Sequence, residues 1–192
     1  MDILNNAKNH FSTITRHRHE VMKNCFRAGI GMQGLFHDLS KYSPTEFIPG
    51  IIYFQGTRSP NESERENKGY SKAWMHHKGR NKHHYEYWTD YNPKTKSMEG
   101  VEMPARYFVE MVCDRIAASK IYYGSQYNDS ASLNYYLGRK GKILMHPKTQ
   151  AELEKVLRML SKKGEKVTFR YLRKLIRNSR ESDVLRKVSE WI

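Results

Sequence analysis

Apolar residues return every three or four positions at the start of this chain, at Ile3, Ala7, Phe11, Ile14, Val21 and Cys25. That spacing lays them along one stripe of an α-helix and predicts a long amphipathic helix ending near Gly29. No segment sustains the period of two that a half-buried strand requires. The pattern predicts an all-α fold.

Further helix signals follow. Ser43-Pro44-Thr45-Glu46 combines a capping serine, a proline at the first helical position and a glutamate placed to reach back. A helical segment is expected over about 71–88, interrupted at Gly79, and another over 104–123, where Ala105, Phe108, Val112 and Ile116 share a face. Residues 55–70 read as a loop or a mobile helix start, and 90–103 as a second loop. Thr149-Gln150-Ala151-Glu152 is another capping box, opening a helix to about Leu160, and basic helices near 168–177 and 181–191 close the chain.

Composition narrows the class. The chain is 38% apolar and 28% charged, enough to bury a core and unlike a disordered segment. No apolar run approaches the roughly 20 residues that cross a bilayer; the longest candidate, residues 48–54, is broken by Pro49 and Gly50. The polar start (Asp2, Asn5, Asn6, Lys8) lacks the form of a secretory signal, and two cysteines, Cys25 and Cys113, fit a reducing compartment. A cytoplasmic protein with no membrane partner is expected.

Charge divides the chain. Residues 139–192 hold 16 basic against 6 acidic side chains, a net +10 of the total +14. This predicts a nearly balanced helical body, 1–138, and a basic helical extension, 139–192, packed on it. Such an extension suits an anionic partner, whether nucleic acid, nucleotide or phosphorylated small molecule, or is a solvated surface. Phe169, Leu172, Leu175 and Ile176 oppose Arg170, Arg173, Lys174 and Arg177, a stripe expected to pack inward. Zinc-finger spacings and glycine-rich phosphate loops are missing.

The histidines carry the chemistry. His17 falls on the apolar stripe of the first helix, whereas His19, roughly 200° around, faces solvent. His37-Asp38 sets two metal-ligand types beside Leu35, Phe36 and Leu39, and a carboxylate embedded in apolar sequence needs a cation. Asp114, between Met111 and Ala117-Ala118, poses the same demand. Four histidines, His76, His77, His83 and His84, crowd into nine residues. On one straight helix His77 and His84 would stand about 10.5 Å apart along the axis, too far to share an ion. A kink at 79–81 would let one histidine of each pair converge.

In this order, His17-x-x-x-Val21, His37-Asp38-Leu39-Ser40-Lys41 and a later Asp114, the chain resembles the HD-domain superfamily of metal-dependent phosphohydrolases over about residues 10–122. It looks closest to a bacterial and phage branch of unassigned function with an HDLSK-like segment and a later paired-histidine segment. The resemblance implies an HD-like helical bundle in which His17, His37, Asp38 and Asp114 bind one divalent ion. It also implies a second ion on two further histidines, here assigned to His77 and His84, with His76 and His83 as the alternatives.

Such a set holds Mn, Fe, Co, Ni or Zn more readily than Ca or Mg. One ion activates water; two, bridged by Asp38, bind nucleophile and phosphoryl oxygen together. Lys41, Arg80 and Asn81 are candidates to hold substrate phosphate, Asp38 and Lys41 to act in catalysis. The expected activity is phosphohydrolysis of a nucleotide or other phosphate ester. The same ligands would serve a mixed-valent di-iron oxygenase, and a nucleic-acid-binding protein with a structural metal is the third reading.

Overall fold

The computed structural model describes residues 2–189, and side chains as far as 182. Among these residues the fold is all-α, eight α-helices with one small hairpin. The first helix, α1 (Ile3–Ala28), begins where Asp2 accepts from the Asn5 N–H at 3.1 Å. It stops at Gly29, whose φ of 85° suits a residue without a Cβ. α1 packs on α6 (Ala105–Tyr123), and buried Asn24 fixes their register by donating to the Cys113 carbonyl at 3.1 Å.

Between them run α2 (Gly31–Leu35), α3 (Pro44–Ile52), α4 (Pro60–Lys68) and α5 (Lys72–Arg80). α3 starts at Pro44 as the capping pattern predicts, although Ser43 makes no side-chain capping bond. The segment read as a loop over 55–70 contains α4. Its signals are a proline at the first turn, Glu62 beside it and Gly69 closing the end with φ 80°. The break in the 71–88 segment falls at Asn81, which ends α5, and not at Gly79. The loop over 90–103 is in part a hairpin, β1 (Thr89–Asn92) paired antiparallel with β2 (Ser97–Gly100). These strands are too short for an alternating pattern to register.

α7 (Ala131–Leu137), a segment to which the apolar pattern assigns no helix, packs with α6 on α8 (Pro147–Ser189). Of the breaks expected among the C-terminal helices, the first is present: α8 is two helical stretches meeting at a kink at Gly164, whose non-helical φ of 72° is a glycine conformation. The second stretch runs on without the break expected near 177–181. Beyond Ser189 the last expected helix lies outside the described residues. α8 starts two residues before Thr149, whose hydroxyl is used elsewhere, accepting from Met103 N–H at 3.2 Å. Leu153, Leu157, Leu160, Phe169 and Leu172 share one core with Val21, Cys25, Val112 and Ile116.

Some of the basic charge of α8 holds the fold together. Arg173 donates to the carbonyls of Arg27 and Phe26 at 3.2 and 3.4 Å, and Arg180 to that of Gly29 at 3.3 Å. These add donors to carbonyls at the end of α1, of which that of Phe26 also accepts from Gly29 N–H at 3.3 Å. No described helix is long and apolar enough to cross a membrane.

Candidate metal centre

Helix packing draws the distant histidines and carboxylates together. His17 is buried on α1, while His19 is exposed. His37 and Asp38 occupy the turn after α2, where Asp38 adopts a left-handed φ of 52°. That conformation is unfavourable for a non-glycine residue, yet it turns the carboxylate inward, to 2% exposure. Asp114 comes from α6. His17 Nε2 lies 3.0 Å from Asp114 Oδ1, and His37 Nε2 lies 3.2 Å from Asp38 Oδ2. One potential ligand atom from each of these four residues falls within 4.8 Å of the others.

A second group adjoins the first. After Asn81 the chain turns back on itself, His84 N–H donating to Asn81 O at 3.1 Å, and carries His83 and His84 alongside His77. His77 Nε2 and His83 Nε2 stand 3.2 and 3.4 Å from Asp38 Oδ1. Asp38, His77, His83 and His84 meet the same 4.8 Å condition. Asp38 thus belongs to both groups, one oxygen facing each. Of the paired histidines, His77, His83 and His84 all reach the second group; His76 does not.

Two glutamates complete the arrangement. Glu110 accepts from His37 Nδ1 at 2.8 Å, lies 3.3 Å from His83 Nδ1, and is also bound by Gln33. Glu46, expected to cap its own helix, instead meets His76 Nδ1 and His77 Nδ1 at 2.7 Å each. Fixing Nδ1 in this way turns Nε2 of His37, His77 and His83 towards the Asp38 carboxylate, the arrangement usual for histidine ligands. The sequence signal for Glu110 was the one used for Asp114, an acid amid Phe108, Val109, Met111 and Val112.

Electrostatics describe a cluster short of positive charge. Burial would lift the Asp38 carboxyl, but His37, Lys41 and His77 hold it well below the usual range. Asp114 is held well below likewise, against burial, by His17, His83 and His37. Glu110 is drawn down to about 2 because its bonds to His37 and His83 outweigh burial. His37 rises to about 10, since Asp38, Glu110 and Asp114 overcome burial. His84 is pushed well below its ordinary value by burial and by His83 and His77, so it is a neutral imidazole. His17 also falls, through burial and the charge of Lys41.

The decisive feature is what is left unbonded. His17 Nε2, His37 Nε2, His83 Nε2, His84 Nε2 and both Asp38 oxygens are buried without a well-aligned hydrogen bond among the described residues, although carboxylate oxygens stand 3.0, 3.2 and 3.4 Å from the first three. Lys41 Nζ pairs with Asp38 Oδ2 at 2.6 Å, whereas Oδ1 faces the imidazole nitrogens of His77 and His83. Buried polar atoms are almost always satisfied, so convergent unsatisfied imidazole nitrogens and carboxylate oxygens fit a divalent transition metal. His17, Lys41, His77, His84 and Asp114 border a cavity of about 790 Å³. Arg80 is exposed and away from that cavity, donating to the His76 carbonyl at 3.5 Å. Asn81 also stays outside it, its amide spent on Ser40 Oγ at 2.9 Å and the His77 carbonyl at 2.8 Å.

Fold and site together define an all-α protein that gathers histidines and carboxylates from separate helices around one buried aspartate. The chain belongs to the family of unknown function DUF5662, whose model matches residues 6–159. Among curated proteins and among solved structures, none matches it.

Proposed function

We propose that the chain is a cytoplasmic, metal-dependent phosphohydrolase of the HD type, acting on a nucleotide or another phosphate ester. The observation that carries this reading is the pair of unsatisfied ligand groups sharing Asp38 beside an open cavity. His17, His37, Asp38 and Asp114 would hold one ion, and Asp38 with His77 and His83 or His84 a second. A divalent ion so held lowers the pKa of bound water towards 7 and supplies hydroxide at neutral pH. Asp38, which belongs to both groups, would serve both ions, while Glu110 and Glu46 fix the imidazoles. Lys41, which reaches both Asp38 and the cavity, neutralises charge on a substrate phosphate.

Elemental analysis of protein purified without added metal tests this first, followed by assay of generic phosphomonoesters and phosphodiesters. A transition metal lost in Asp38→Ala, together with chelator-sensitive hydrolysis, is the expected result. Unchanged metal content in that variant overturns the assignment; bound iron with oxygen-dependent turnover and no hydrolysis would favour the di-iron oxygenase. The exposed cations Lys163, Lys166, Arg170 and Lys174 on α8 favour a second reading, nucleic-acid binding. Its mark is strongly salt-dependent affinity for DNA or RNA that His37→Ala leaves unchanged.

A further inference from the structure

Beyond the metal cluster, the same cavity is bordered by two opposite charges that do not meet. Arg115, next to Asp114 on α6, has a buried Nε with no partner, and its guanidinium makes no hydrogen bond or ion pair among the described residues. Glu86, two residues after His84, has a buried Oε2 in the same condition. Arginine and glutamate lining one space ordinarily close into an ion pair; here they do not, and Glu86, bonded to the Tyr85 hydroxyl, keeps its Oε2 free. Trp74, Tyr85 and Tyr135 supply aromatic surface around the same cavity.

An unpaired donor and an unpaired acceptor bordering one cavity with aromatic side chains suit a flat ring that carries an acceptor and an N–H donor on its edge. Sugar phosphates lack such a ring, and a simple phosphate would be repelled by Glu86. We infer that Arg115 and Glu86 form a base-reading subsite, so that the substrate class is a phosphate ester of an amino-bearing heterocycle, a nucleotide of the guanine type. Arginine reads the O6 and N7 acceptors of such a ring, and a carboxylate takes its N–H donors. The aromatic side chains stack on its faces. The inference rests on the phosphohydrolase reading only for where the phosphate sits.

Calorimetric binding of guanosine 5′-monophosphate and of ribose 5-phosphate to the metal-loaded protein tests it. The nucleotide should bind at least tenfold more tightly than the sugar phosphate. Glu86→Gln and Arg115→Met should each weaken the nucleotide about tenfold while leaving ribose 5-phosphate within twofold. Metal content and thermal unfolding check that the variants are intact, and the near-isosteric Glu86→Gln is the deciding one. Equal affinities, or variants that weaken both ligands alike, overturn the subsite. Guanosine, which has no phosphate, separates the two proposals: binding that Glu86→Gln abolishes, in protein found to hold no metal, keeps the subsite and removes the phosphohydrolase. No binding of either guanosine or its monophosphate overturns the subsite whatever the metal content.

Discussion

Glu110 is the residue on which both ligand groups lean. Its carboxylate meets His37 Nδ1 at 2.8 Å and His83 Nδ1 at 3.3 Å, and these two imidazoles stand in different groups. Glu110→Gln keeps the size and one acceptor oxygen but removes the charge. A hydrogen bond to a charged group contributes about 1.5–3 kcal/mol and a neutral one about 0.5–1.5. The substitution therefore costs roughly 1 kcal/mol per histidine, about 2 kcal/mol in all. Because the two histidines stand in different groups, each ion's affinity should fall about fivefold, and the product of the two constants about 30-fold. Competition against a chelator of known affinity measures the loss for each ion separately. Both constants should weaken with Glu110→Gln, whereas Glu46→Gln, acting through His77, should weaken one. If Glu110→Gln leaves both within threefold of the parent protein, or weakens only one, Glu110 does not orient a shared centre.

Three shorter expectations follow. His37 is raised to about 10 in the metal-free protein, so at pH 7 it carries a proton that a metal must displace. Calorimetry in buffers of different ionisation heat should find about one proton released, with affinity rising about tenfold per pH unit up to pH 10. By the same shift, the stabilisation from His37 in the metal-free protein is complete below about 6.5 and lost as pH rises through about 10, which urea unfolding across that range measures. A methyl at position 50 would land on the His10 imidazole, which is wedged between Phe47 and Phe54; Gly50→Ala should cost about 1–3 kcal/mol in urea unfolding without changing metal content. Arg173→Ala removes donors from the end of α1 and should cost about 1 kcal/mol, whereas Arg170→Ala, at an exposed position, should stay within about 0.5 kcal/mol.

How far the sequence could be read depends on how far apart the interacting residues lie. α1 and α6 declare themselves because their apolar stripes are periodic, and the same periodicity turns His17 inward and His19 outward. Burial of Asp38 and Asp114 follows from an acid set in apolar sequence. Glu46 illustrates the limit. Its neighbours Ser43 and Pro44 make a capping glutamate the natural reading, and only a contact 30 residues away, with His76, reveals its other use. Arg80 errs in the opposite sense: closeness in sequence to His77 suggests a phosphate ligand, but the helix ends there and the side chain faces solvent.

What local rules fail to explain gathers at one place. Asp38 takes a left-handed backbone conformation uncommon outside glycine, is almost wholly buried, and pairs with Lys41 through one oxygen while the other faces imidazole nitrogens. Around it Glu46, Glu110 and Asp114 are ionised within the same buried cluster. Each departure costs stability on its own, and a packed hydrocarbon core would have served the fold better. Elsewhere such departures are scattered singly, as at Lys96 with φ 54° and at the unpartnered Tyr136 hydroxyl, while most stripes, caps and glycine stops agree with one another. Conflict concentrated in one cluster is what a site kept for chemistry would show, and cations bound to the two groups would satisfy Asp38 and the four imidazoles.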